Sequence, residues 1–79
     1  MPNYHVTETL DMRGTYCPGP LMELIRHVKQ GQVGEVFAIL SSDSGSAVDI
    51  PKWAAKAGHE FLETVPHGDY AEIVVRKTR

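Results

Sequence analysis

Five consecutive apolar residues, Val36-Phe37-Ala38-Ile39-Leu40, set the strongest limit on how this chain can fold. A strand without polar alternation has to be covered on both faces, so the run predicts the middle of a sheet. The elements that cover it must come from the same short chain. Seventy-nine residues make one domain, 1–79, because two halves would be too small to bury separate cores.

The flanking punctuation supplies those elements. Upstream, Val6, Leu10 and Met12 alternate with Thr7, Thr9 and Asp11 and predict a half-buried first strand. Glu8 interrupts its apolar face, which suits an edge strand. Arg13-Gly14-Thr15-Tyr16 then turns the chain. From Pro18 onward Leu21, Leu24, Ile25 and Val28 recur at helical spacing and give one apolar stripe. His27 and Lys29 suit the negative end of that helix, and Gly31 is placed to end it in the left-handed conformation.

Beyond the central run, Asp43-Ser44-Gly45-Ser46 reads as a turn, and a second helix carries Ile50, Trp53, Ala54 and Ala57 before stopping at Gly58. Ser46 with Asp49 resembles a capping box. Asp49 as N-cap with Pro51 in the first turn is the easier start, since proline is tolerated there and not deeper. Two strands, about 61–65 and 70–76, flank Pro66-His67-Gly68-Asp69 and predict an antiparallel hairpin. The order is β-α-β-α-β-β. A right-handed first crossover makes the opening strands parallel. The expected fold is an α/β two-layer sandwich, a mixed four-stranded sheet with both helices on one face.

Composition narrows the function. Ten acidic residues against eight basic ones leave a net charge of −2, which disfavours phosphate neutralisation and hence direct nucleic-acid binding. The C-terminal Arg76-Lys77-Thr78-Arg79 is a local exception, read as a solvated chain end or as a patch for an acidic partner. One cysteine forms no internal disulfide and fits a reducing compartment. No secretory signal or membrane-spanning apolar run is evident, so a cytoplasmic protein is expected. His5, His27, His59 and His67 lie on different elements without ligand spacing, and no metal or other cofactor is expected. A domain of this size has no room to enclose a substrate, which favours a carrier or adaptor.

The chemically informative segment is Cys17-Pro18-Gly19-Pro20. Proline is accepted in a first helical turn because the amides there lack partners inside the helix, so the pair marks a helix beginning just after Cys17. Unpartnered amides and the positive end of the helix dipole favour an anion, and a thiol at such a place shifts toward thiolate. Gly19 and Leu21 would supply the remaining amides, and Arg13 could add positive charge. A lone cysteine is also commonly a small buried hydrophobe. Met12 suits core filling, and Met22 an adaptable contact surface. Trp53 fits a core or helix-face contact. From the residues alone a reactive Cys17, an interaction module and a thiol-redox regulator all stay open.

Leu10-Asp11-x-x-Gly14-x-x-Cys17-Pro18-x-Pro20, with Asp43 and Asp49-Ile50-Pro51 further on, resembles the signature of the TusA/SirA sulfur-carrier family from about Tyr4 to Lys77. The resemblance implies the same sandwich, and a sulfurtransferase-type carrier. Cys17 would accept sulfane sulfur as a persulfide from a donor such as a cysteine desulfurase or a rhodanese. It would relay that sulfur to an acceptor protein serving transfer-RNA thiolation, sulfur oxidation or cofactor sulfuration. Pro18 and Pro20 map as structural escorts of Cys17, and Asp11, Gly14 and Asp49 as structural motif positions. Gly19 holds a variable position and has no side chain to bond the sulfur. A monomer is expected, since a carrier presents Cys17 to two proteins in turn.

Overall fold

The computed structural model describes residues 4–16 and 18–79. Its elements run β1 (Glu8–Asp11), α1 (Gly19–Gln30), β2 (Val36–Ser41), α2 (Ser44–Ala57), β3 (Glu60–Pro66) and β4 (Ala71–Arg76). The sheet order is β1-β2-β4-β3. β1 pairs parallel to β2, and β4 pairs antiparallel to both β2 and β3. The apolar run is thus an interior strand, and β1 is an edge, as the sequence predicts.

Leu10, Phe37, Ile39, Ile73 and Val75 pack from the sheet against Leu24 and Val28 of α1 and Ile50 and Ala54 of α2. Both helices therefore cover one face, and the expected two-layer sandwich is the fold. The second face carries a smaller cluster of Val36, Ala38 and Val74, roofed by Tyr4, Val6 and Leu62. A bulge between Phe61 and Glu63 breaks the β3 register beside Leu62.

Four local expectations change. Val6 packs on the second face while Leu10 and Met12 join the helix-facing core, because the chain bends at Thr7 before the strand begins. Thr7 still donates its amide to the Val36 carbonyl at 2.8 Å, so pairing outruns the alternation. Glu8 faces the helices, where its carboxylate lies 2.7 Å from His27 Nδ1.

Gly31 ends α1 with extended backbone, φ −85° and ψ −178°, rather than left-handed. Glycine is required there for space. A Cβ would stand 2.7 Å from the ring of Phe37, itself buried in the core. The left-handed helix end belongs to Gly58 after α2, at φ 82°.

The second helix begins at Ser44, with Asp43 as its N-cap, and Pro51 lies inside it. Asp49 is consequently an interior helical residue. Ser46 decides the start: it is fully buried, and both its amide and its hydroxyl donate to Asp43 Oδ2 at 3.2 Å. Pro51 costs the amide that would reach back to the preceding turn, a penalty of about 3 kcal/mol. Complete burial of Ile50 and Ala54 on either side offsets it.

The basic C-terminus is partly tied down rather than wholly solvated, although Thr78 and Arg79 stay exposed. Lys77 Nζ donates to the carbonyls of Val28 at 2.6 Å and Gly31 at 3.2 Å, closing the end of α1. Arg76 pairs with Glu60 at 3.1 Å, and the Thr78 hydroxyl donates to the Gly58 carbonyl. Cations suit a helix C-terminus because they meet its unpaired carbonyls.

Candidate functional site

The start of α1 is built by a turn leaving the C-terminal end of β1. Thr15 closes that turn by donating its amide at 3.2 Å and its hydroxyl at 2.7 Å to the Met12 carbonyl. Gly14 takes φ +86° with open space around its α-carbon, so backbone conformation rather than crowding calls for glycine. Its amide donates to Ser42 Oγ at 2.9 Å, fastening the turn to the end of β2.

Asp11 and Arg13 lock the base of the turn. The guanidinium donates through Nε at 2.8 Å and through its terminal nitrogen at 2.7 Å to the two carboxylate oxygens, and the Arg13 amide adds a third bond at 3.2 Å. These bonds hold the Asp11 carboxyl down to about 2. The same guanidinium lies 5.0 Å above the ring of Tyr70, and Tyr70 stacks on His67 at 4.9 Å. Arg13 therefore joins β1 to the β3–β4 hairpin, with its charge balanced by Asp11.

Pro18 is the N-cap residue of α1 at φ −92° and ψ 13°, and Gly19 and Pro20 open the helix, as the paired prolines predict. No side-chain cap satisfies this end among the described residues. The Gly19 amide, expected to serve an anion, instead donates to the Tyr16 carbonyl at 2.8 Å, and the Met22 amide donates to the Pro18 carbonyl at 2.8 Å. Pro20 is buried and fixes the helix to the core, while Tyr16 and Met22 are 78% and 60% exposed. Cys17, the residue expected to carry the chemistry, lies outside the described residues. In the chain it directly precedes the N-cap Pro18.

The structure thus gathers Asp11, Arg13 and Gly14 in one turn and Pro18, Gly19 and Pro20 at the helix start. Asp49 stands apart on α2, lining a groove opposite Leu21 of α1. Ser42 and Tyr70 escape the sequence reading. They reach the turn only through tertiary folding, and neither carries a local pattern that reveals it. A depression of about 280 Å³ beside them is lined by Ser42, Asp43, Asp69 and Tyr70 among others. Among the described residues no cluster of three or more His, Cys, Asp or Glu side chains could hold a metal ion. No helix is long and apolar enough to cross a membrane.

The described residues form a small two-layer sandwich whose first helix has an exposed, proline-marked start. Comparison with known proteins identifies the scaffold: residues 8–77 match the family model described as sulfurtransferase TusA, and the chain belongs to that family. A protein of Archaeoglobus fulgidus named as a candidate sulfur carrier is 57% identical over 89% of this chain and 96% of its own. The sulfur carrier protein TusA of Pseudomonas entomophila is 41% identical over 68% of each chain. The crystal structure of a SirA-like protein from Desulfitobacterium hafniense superposes with a TM-score of 0.75 at 24% identity, covering 91% of this chain and 99% of that one, and shows the same fold.

Proposed function

We propose that this chain is a cytoplasmic sulfur carrier, a single domain over residues 1–79, whose Cys17 accepts sulfane sulfur as a persulfide and relays it between proteins. The observation that carries the reading is the family match over residues 8–77, which brackets the segment Cys17-Pro18-Gly19-Pro20 at the opening of α1. The helix dipole there favours a thiolate and, after loading, a persulfide anion.

The Cys17 thiolate attacks the outer sulfur of a donor persulfide, such as that of a cysteine desulfurase or a rhodanese-like protein. A new S–S bond forms at Cys17 as the donor S–S bond breaks, and the donor cysteine leaves as thiolate. An acceptor thiolate then attacks the outer sulfur and releases Cys17 as thiolate. Atoms and electrons balance over the two transfers, so no cofactor is needed. A single cysteine suits this relay, because release depends on the acceptor's thiol. Asp11, Arg13 and Gly14 act as structural support by holding the turn that leads to Cys17.

Cys17→Ser tests the assignment. With labelled cysteine and a cysteine desulfurase, the native chain is expected to take up sulfur and the folded Ser variant none. Equal labelling of both chains would remove Cys17 from the mechanism.

A further inference from the structure

On the outer surface of the helix layer, α1 and α2 enclose an open groove of about 690 Å³, lined by Leu21, Asp49, Lys52, Trp53, Ala55 and Lys56. We propose that this groove docks an acidic amphipathic segment of a partner protein, with apolar side chains against Trp53 and Leu21 and carboxylates on Lys52 and Lys56.

Charge accounting points there. Arg13, Arg26 and Arg76 are each paired with a carboxylate, and Lys77 is spent on the carbonyls ending α1. The exposed Lys29 and Arg79, in no ion pair among the described residues, lie outside the groove lining. Lys52 and Lys56 are exposed, stand one helical turn apart on the groove rim, and join no ion pair among the described residues. The lining holds those two lysines against one carboxylate, Asp49, which is already engaged within the chain. On a chain of net charge −2 this is a local basic rim around an apolar floor.

The floor has the character of a docking anchor. Trp53 is half-buried, packs on the core and leans against the His59 ring at 5.3 Å, so it meets a partner already ordered. Tryptophan is among the residue types enriched at interface hot spots. Two lysines match a few carboxylates, whereas a polyanion such as RNA needs many more phosphate contacts and meets a net negative chain. Leu21 lies in the first turns of α1, so an occupant of the groove sits beside the helix start that follows Cys17.

Trp53 is the only tryptophan, so its fluorescence reports occupancy directly. The probe is a synthetic amphipathic helix with a leucine stripe and glutamates on its other positions, compared with a lysine-for-glutamate version and with single-stranded oligouridine. The expected result is a saturable blue shift with the glutamate peptide. Lys52→Glu/Lys56→Glu, both exposed and checked for native circular dichroism, should weaken it about tenfold. No saturable shift, equal binding of the lysine peptide, tighter binding of RNA, or unchanged affinity in the double variant would each overturn the proposal. Cys17→Ser protein serves equally well here, so failure leaves the sulfur-carrier reading standing.

Discussion

At its C-terminal end α1 is finished by long-range contacts. Lys77 arrives from the last residues of the chain to cap the Val28 and Gly31 carbonyls, and Gly31 admits the Phe37 ring. At its N-terminal end the same helix has a proline N-cap with no side-chain cap among the described residues, and exposed Tyr16 and Met22 on either side. α2 sharpens the contrast, since its own start is closed by Asp43 and the buried Ser46. Among the described residues, long-range contacts close one end of α1 and exposed side chains mark the other. On the proposed sulfur-carrier reading, the end that follows Cys17 meets partners while the opposite end anchors the helix.

The division can be broken by substitution. The largest effect is expected at Gly31, where Gly31→Val forces a Cβ against Phe37 and should cost about 3 kcal/mol in denaturant unfolding. Lys77→Met removes a charge-assisted cap from two carbonyls and should cost about 1.5 kcal/mol by the same measurement. Met22→Ala at the open end should change stability by less than about 0.5 kcal/mol. A loss at Met22 as large as that at Lys77 would erase the distinction between the two ends.

The closed end also carries a pH signature. Burial, reinforced by Lys77 and Arg79, holds His59 below the ordinary histidine value of about 6.5. Its Nδ1 accepts the Thr78 amide at 3.2 Å, which the neutral ring allows. The unfolded chain binds more protons just below that ordinary value. This contribution to stability is therefore full above about 6.5 and lost as pH falls through the folded value. Lys77→Met should let the His59 value climb back, a small effect readable by NMR titration of the ring. An unmoved titration would separate His59 from the cap.

Much of this was legible before folding. The run Val36–Leu40 specified an interior strand because nothing else covers both of its faces, and the paired prolines marked the start of α1. The errors share one cause: local rules were applied where distant residues decide. Pro51 argued for a later start to α2, but buried Ser46 and the packing of Ile50 outweighed it. Gly31 looked like a left-handed stop, yet the Phe37 ring, which no local pattern places there, explains it. The C-terminal basic run looked free because its partners, the carbonyls ending α1, carry no sequence signal. At the candidate site the motif residues were legible, whereas Ser42 and Tyr70 were not, since each reaches the turn from another strand end.

The central claim is that the open end of α1 carries sulfur. Its most direct test is the intact mass of the native chain after incubation with a cysteine desulfurase and cysteine, and separately with thiosulfate or tetrathionate. A gain of a single sulfur atom, lost on reduction and absent from Cys17→Ser, is the predicted result; an unchanged mass with every donor would contradict it.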